Sequence, residues 1–177
     1  MPFHGYYHSC DALNSVNYRH AFHAGNFADV FKHIILVLIL QHLRLKPAPF
    51  RVIDTHAGAG LYDLGGEESA RTGEYVNGIA RLDAKRMSKA AEEIAAPFRD
   101  MLHDVRAYHR DTTYPGSPEI ARRHLRELDR LVANDAHGDT FAKLRQTLQR
   151  DGPARGVQLD ALTALAANIL PKDTRGL

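Results

Sequence analysis

Residues 50–60 read FRVIDTHAGAG, and this stretch decides the fold. Phe50–Asp54 is a short run with β-branched Val52 and Ile53, which is typical of a buried strand. The glycine-rich turn 55–60 follows at once, and a helix with one apolar face is predicted before it, at residues 26–45. A helix, a strand and a glycine turn in this order indicate the opening of an α/β unit.

The rest of the chain continues the alternation of helices and strands. The sequence predicts a helix from Pro118 to about residue 131, a strand at 131–135, a helix from Asp139, a strand at 157–160 and a helix at 161–170. Right-handed crossovers place three such strands in one parallel sheet with helices on its faces. Residues 61–113 lack a comparable pattern, so we expect a small, mostly helical insertion there.

The composition excludes several classes of protein. The chain has 177 residues, of which 44% are hydrophobic and 25% charged, the mixture of one globular domain. A net charge of +2 excludes a strongly basic nucleic-acid arm but not a local basic surface. The single cysteine, Cys10, excludes an internal disulfide framework and a multi-cysteine zinc site, and favours a reducing compartment.

No segment of the sequence is typical of membrane insertion or secretion. The longest apolar run, residues 34–40, is far shorter than the roughly 20 residues of a spanning helix. The N-terminus has no cationic start followed by an apolar stretch, so a signal peptide is not predicted. We expect a cytoplasmic protein, with residues 1–16 as a disordered N-terminal extension.

An acid follows each of the three predicted strands: Asp54, Asp135 and Asp160. Ligands of open α/β sheets bind beyond the carboxyl ends of the strands. Beside a glycine-rich turn, a carboxylate after the second strand suits a ribose diol and one after the third suits an adenine amino group. The series therefore predicts an adenosine-containing cofactor, although each acid singly is also typical of a solvated helix cap.

The glycine turn differs from a dinucleotide-binding motif. Asp63 stands where the third glycine of Gly-x-Gly-x-x-Gly is required, which counts against a nicotinamide cofactor. A ribose acid normally follows the glycines by about 20 residues, and the insertion accounts for the longer interval here. Ser117, as the N-cap of the delayed helix, is predicted to return a helix N-terminus to the cofactor.

Histidine is abundant, with 11 residues in the chain. His20, His23 and His33 lie close together in the sequence before and within the first long helix. Their spacing matches no standard zinc pattern. Metal binding, helix capping at the surface and contact with a ligand all remain open for these three side chains.

Four segments carry a family resemblance. They are residues 18–33 (YRHAFHAGNFADVFKH), 54–60 (DTHAGAG), 71–75 (RTGEY) and 114–118 (YPGSP). Residues 17–177 resemble the bacterial 23S ribosomal RNA adenine-N6 methyltransferase J family. The resemblance implies a Rossmann-like class I methyltransferase core at 17–60 and 114–177, here its first three parallel strands, with the insertion at 61–113. It also implies S-adenosyl-L-methionine as cofactor, 23S ribosomal RNA as partner and a monomer.

The same resemblance implies roles for individual residues. Those expected to contact the cofactor are His33, His56, Ser117, Asp135, Asp160 and Ala161. Tyr18 is similar to the family's aromatic near the target adenine, and Arg19 and Lys32 are candidate phosphate or substrate contacts. Two positions depart from the family pattern: Asp135 stands where Glu is usual, and Ala161 where Gly is usual.

The acceptor motif of adenine-N6 methyltransferases is not found in these 177 residues. That motif, Asp/Asn-Pro-Pro-Tyr/Phe, follows the fourth strand, and it holds the target amine and stacks on the extruded base. No two prolines are adjacent in the sequence, and residues 175–177 resemble the lead-in to the fourth strand. We expect a truncated chain in which residues 50–54 form an exposed sheet edge, the fold is weak and methyl transfer is lost. The alternative function is therefore an inactive cofactor- or RNA-binding fragment.

Overall fold

The computed structural model describes residues 19–84, 87–148, 152–168 and 175–176. In chain order its helices and strands are α1 (Phe27–Arg44), β1 (Phe50–Asp54), β2 (Leu61–Asp63), α2 (Glu67–Thr72), α3 (Ile79–Ala84), α4 (Lys89–Tyr108), β3 (Thr113–Pro115), α5 (Ser117–His124), β4 (Arg130–Asn134), α6 (Gly138–Leu148), β5 (Ala154–Val157), α7 (Ala161–Ala167) and β6 (Arg175–Gly176). Two short 3-10 helices, His20–Phe22 and Glu74–Asn77, complete the set.

A parallel sheet with the order β5-β4-β1-β6 forms the centre of the fold. Leu131 on β4 and Phe50 on β1 are fully buried, so the sheet is covered by helices at these positions. The α/β core with three parallel strands is therefore confirmed. The expectation of an open edge along β1 is wrong at its start, because β6 pairs there with Phe50 and Arg51.

Helix α1 begins where the sequence indicates. The side chain of Asn26 accepts a hydrogen bond from the Asp29 N–H at 2.9 Å, which is the geometry of an N-cap. The sequence predicts one apolar face made of Phe27, Val30, Phe31, Ile34 and Leu38, and this is only partly correct. Val30 is buried, whereas Phe27 and Phe31 are 73% and 67% exposed. The buried stripe contains Asp29, Val30, His33, Val37 and Leu40. Within the described part of the chain, no helix combines the length and apolar character needed to cross a membrane.

The segment predicted as an insertion is mostly helical, as expected, but it begins and ends in strands. β2 and β3 pair antiparallel, with Tyr62 opposite Tyr114, and form a ribbon at the base of the segment. Helix α4 packs against α1, and its Phe98 lies against the rings of His33 and Tyr114. The ribbon therefore joins the glycine-rich turn to the start of α5.

Helix α5 is shorter than predicted. It starts at Ser117 and ends at His124, so Arg126 and Arg130 lie beyond it and not on it. The reason is Asp129, which is fully buried and accepts hydrogen bonds from the backbone N–H groups of Phe50 at 2.9 Å and Arg126 at 2.8 Å. The Arg126 guanidinium adds a bond to the same carboxylate at 2.8 Å. This carboxylate attaches the start of β1 to the loop before β4.

Replacing Asp129 with Ala should lower the free energy of unfolding by about 3 kcal/mol, because two backbone donors lose their acceptor and Arg126 loses its ion pair. Urea denaturation of both proteins measures the difference. Asp104→Ala is the matched control, since the Asp104 side chain is 74% exposed. A loss of less than about 1 kcal/mol in Asp129→Ala would show that this link is not required.

Candidate functional site

The glycine-rich turn after β1 has a fixed shape. Gly58 and Gly60 have φ angles of 66° and 84°, in the left-handed region that favours glycine. The Ala57 N–H donates to the carbonyl of Asn134 at 2.8 Å, and the Gly116 N–H donates to the carbonyl of Gly60 at 2.8 Å. The turn is thus held from β4 on one side and from the start of α5 on the other.

Asp135 lies directly beside this turn. It follows β4, which ends at Asn134, one residue earlier than predicted. One carboxylate oxygen accepts from the Gly58 N–H at 3.1 Å and the other from the His137 N–H at 2.9 Å. Both bonds orient the half-buried carboxylate at the carboxyl edge of the sheet, where its remaining lone pairs are available to a polar ligand.

Asn134 is a site residue that the sequence reasoning missed. Its side chain is 1% exposed and donates to the carbonyls of Thr55 and Leu159, both at 3.0 Å. Its amide oxygen accepts from the Leu159 N–H at 2.9 Å. The signal that could have identified it is an amide side chain at the end of an otherwise apolar strand. A polar side chain at such a position is expected to be buried and hydrogen-bonded.

Asp54 and Ser117 meet at the end of β1. The carboxylate of Asp54 accepts a hydrogen bond from the Ser117 hydroxyl and another from the His56 N–H at 3.3 Å. Burial raises the pKa of Asp54, the nearby charge of Asp135 raises it further, and these two hydrogen bonds partly oppose the rise. The prediction that Ser117 is the N-cap is wrong. Gly116 occupies that position, and Ser117 is the first residue of α5.

His56 lies on the solvent side of the same turn. Its side chain is exposed, and its Nδ1 lies 3.0 Å from the Thr55 hydroxyl. An exposed ring at the mouth of the turn can contact a ligand without displacing any buried group.

Asp160 and Ala161 lie where the connection after β5 meets the start of α7. β5 ends at Val157, so the predicted strand 157–160 is wrong and Asp160 lies three residues beyond it. The Asp160 carboxylate caps α7, accepting from the Thr163 N–H at 3.0 Å, and hydrogen bonds from the side chain and the backbone of Thr163 lower the pKa of Asp160. The connection lies beside the end of β4, because Gln158 donates to the carbonyl of Ala136 at 3.3 Å.

His33 is buried in α1, 5% exposed, and its Nδ1 lies 2.8 Å from the Tyr114 hydroxyl. Burial lowers the pKa of His33 to about 4, and the charges of Lys32 and His20 add to this against the opposing effect of Asp29. The ring is therefore neutral at physiological pH. Tyr114 connects it to the segment that leads to Ser117, and its contact with a cofactor stays a prediction.

The three histidines of the N-terminal segment have separate partners. His20 Nε2 lies 2.7 Å from Asp29, and His23 Nδ1 lies 2.9 Å from Glu74, whereas His33 bonds Tyr114. Among the residues with described positions, no group of three or more His, Cys, Asp or Glu side chains is arranged to hold a metal ion.

Three residues with a predicted substrate role remain. Lys32 forms an ion pair with Asp29 at 2.9 Å, and Arg19 forms one with Glu68 at 3.5 Å. Tyr18 lies outside the described residues. Both basic side chains are thus held by neighbouring acids, and Lys32 keeps 63% of its side chain exposed.

Comparisons with known proteins place this chain in a family. The family model described as "Ribosomal RNA large subunit methyltransferase D, RlmJ" matches residues 47–177. The chain is 42% identical over 165 residues to ribosomal RNA large subunit methyltransferase J of Escherichia coli, covering 92% of this chain and 57% of that protein. It is 38% identical over 170 residues to the protein of the same name from Haemophilus influenzae, with the same two coverages of 92% and 57%.

A solved structure shares the fold. The crystal structure of protein LPL1258 from Legionella pneumophila superposes with a TM-score of 0.71 at 31% identity, over 87% of this chain and 55% of that chain. The chain thus spans a little over half the length of these relatives.

Lowering the pH from 7 to 5 should destabilise the protein through His33. Its pKa is lowered from 6.5 to about 4 in the folded state. Its contribution to the free energy of unfolding is therefore complete above pH 6.5 and is lost as the pH falls toward 4. The expected loss between pH 7 and pH 5 is about 2 kcal/mol. Urea denaturation at both pH values should show this loss in the wild type and a clearly smaller one in His33→Gln.

His42→Gln serves as the control for this experiment, because His42 is exposed on the same helix. His124, whose pKa burial also lowers, contributes in the same direction to all three proteins. If His33→Gln lost as much stability on acidification as the wild type, the neutral state of His33 would not be what the folded protein maintains.

Proposed function

This chain belongs to the RlmJ family of ribosomal RNA large subunit methyltransferases, and on that premise we propose that it binds S-adenosyl-L-methionine for methyl transfer to adenine N6 in 23S ribosomal RNA. One observation carries the cofactor assignment. The Asp135 carboxylate is held 3.1 Å from the Gly58 N–H, at the edge of the sheet where three strand connections meet. A carboxylate oriented beside Gly58, which carries no Cβ, suits an adenosine ribose.

The residues around this edge fit such a cofactor. Asp135 would accept hydrogen bonds from the ribose hydroxyls, and His56 would contact the cofactor from the solvent side of the turn. Asp160 and Ala161, at the connection after β5, would hold the adenine, and Ser117, hydrogen-bonded to Asp54 at the end of β1, is a further proposed contact. His33, which contacts the Tyr114 hydroxyl at 2.8 Å, is the remaining proposed cofactor contact.

The chemistry needs a donor and a positioned acceptor. When bound, S-adenosyl-L-methionine supplies a methyl group on a sulfonium centre. The chain contributes orientation and exclusion of water, which can account for a large part of the acceleration of a transfer between two held groups. Asp54, whose pKa is raised by burial, lies near Asp135 and is held at the end of β1 by hydrogen bonds from Ser117 and from the His56 N–H.

The proposed acceptor is an adenine amino group presented by extrusion of the base from structured RNA. Tyr18 is the proposed stacking residue, and Arg19 follows it at the start of the described chain. Lys32, exposed beside Asp29, is a proposed phosphate contact. A 23S ribosomal RNA substrate implies a cytoplasmic location, and we propose that the protein acts as a monomer.

Calorimetric titration with S-adenosyl-L-methionine tests the cofactor assignment, with NAD as the competing candidate. In the wild type we expect binding of the first and not of the second. Asp135→Ala should weaken binding at least about tenfold, since charge-assisted hydrogen bonds are worth about 1.5–3 kcal/mol each. Asp139→Ala, which removes an exposed carboxylate from the start of α6, is the control and should bind as the wild type does.

Equal affinity in Asp135→Ala and the wild type would remove Asp135 from the site. Binding of NAD alone would overturn the methyltransferase proposal and favour a nicotinamide enzyme. Binding of S-adenosyl-L-methionine without transfer of labelled methyl to unmodified 23S RNA would favour the alternative of a cofactor- or RNA-binding fragment.

Tyr18→Ala should weaken the affinity for the RNA at least about fivefold, because stacking of a base on an aromatic ring is worth about 1–3 kcal/mol. The affinity for S-adenosyl-L-methionine should stay within about twofold, which calorimetry measures on the same samples. Tyr108→Ala is a matched control, as that ring is 67% exposed on α4. Equal losses of both affinities in Tyr18→Ala would place this ring in the cofactor pocket.

A further inference from the structure

The side chain of Tyr62, on β2, lies against the glycine-rich turn. It is 7% exposed, and its hydroxyl oxygen accepts a hydrogen bond from the Ala59 N–H at 3.0 Å. Burial raises the pKa of Tyr62, so the group remains a neutral hydroxyl. The buried hydroxyl of Tyr62 thus contacts the backbone of the turn at Ala59, the residue between Gly58 and Gly60.

Two glycines make room for this ring. A Cβ on Gly58 would lie 2.1 Å from the Tyr62 hydroxyl oxygen, and a Cβ on Gly116 would lie 3.0 Å from its ring edge. Gly58 belongs to the turn after β1, and Gly116 immediately precedes α5. The ring therefore occupies the space between the two segments that border the proposed cofactor site.

The ring of Tyr62 also contacts His20. The imidazole of His20 packs edge-on against Tyr62, with ring centroids 5.2 Å apart. His20 is held by Asp29 at 2.7 Å, and Asp29 is 1% exposed and also accepts from Lys32 at 2.9 Å. The N-terminal segment thus reaches the glycine-rich turn through His20 and Tyr62.

We infer that Tyr62 is a positioning residue that sets the conformation of the glycine-rich turn for the cofactor. Its hydroxyl directs the Ala59 N–H toward the protein interior, while the Gly58 N–H donates to Asp135. Without the hydroxyl, the Ala59 N–H loses its acceptor, and the turn can relax away from the arrangement that orients Asp135. The inference rests on the proposed function, because the ligand of the turn is S-adenosyl-L-methionine.

Tyr62→Phe isolates the hydroxyl, since the ring and its contacts with the two glycines remain. We expect the affinity for S-adenosyl-L-methionine to fall about five- to tenfold, the effect of one hydrogen bond. Hydrogen exchange of the Ala59 amide should accelerate, which reports on the turn itself without any ligand. Both changes should exceed those in the control Ser69→Ala, which removes another buried hydroxyl, bonded to the carbonyl of Ala21 at 3.0 Å.

Three results would overturn the inference. One is affinity within twofold of the wild type in Tyr62→Phe, and another is an equal loss in Ser69→Ala, which would indicate a general loss of stability. The third is a loss of affinity in His20→Gln that equals or exceeds the loss in Tyr62→Phe, because His20→Gln leaves the Tyr62 hydroxyl in place.

The wild-type titration separates this inference from the proposed function. If the wild type does not bind S-adenosyl-L-methionine, the proposed function fails, and Ala59 exchange alone then decides whether Tyr62 holds the turn. If the wild type binds and Tyr62→Phe binds equally well, only the positioning role is lost.

Discussion

The hydrogen bonds of the buried side-chain amide of Asn134 are the interactions on which the candidate site at the edge of the sheet depends. Its nitrogen donates to the connections after β1 and after β5, and its oxygen accepts from the latter. Parallel strands leave their carboxyl ends at one edge, but nothing in the ladder itself holds the connections beyond them together. One fully hydrogen-bonded amide does this here, and burial makes each of its three bonds costly to lose.

The glycine-rich turn depends in the same way on groups from distant parts of the chain. Asp135 holds Gly58, Tyr62 holds Ala59, and Thr147 on α6 donates to the carbonyl of Ala59 at 2.9 Å. A turn fixed from three directions is pre-organised, so a ligand that binds there does not have to order it. The β2–β3 ribbon explains how a large helical segment can interrupt the core without disturbing the turn, because both of its strands start or end at the site.

Part of the candidate site could be predicted from the sequence. Asp54 and Asp135 were recognised because an acid after a strand and beside glycines is a local pattern, and strands of a parallel sheet end at one edge. The partner of Ser117 could not be predicted, since it depends on where α5 starts relative to β1. Asn134 and Tyr62 were missed because their importance lies in hydrogen bonds to residues that local patterns do not connect.

The sequence by itself determined the strand Phe50–Asp54, the N-cap at Asn26 and the two turn glycines with left-handed φ angles, because each depends on a few neighbouring residues. Only the tertiary structure decided which face of α1 is buried and that α5 ends at His124. It also decided that β5 ends at Val157, leaving Asp160 as a helix cap. These features follow from packing against α4, from the buried carboxylate of Asp129 and from pairing with β4, and contacts between distant segments override local propensity.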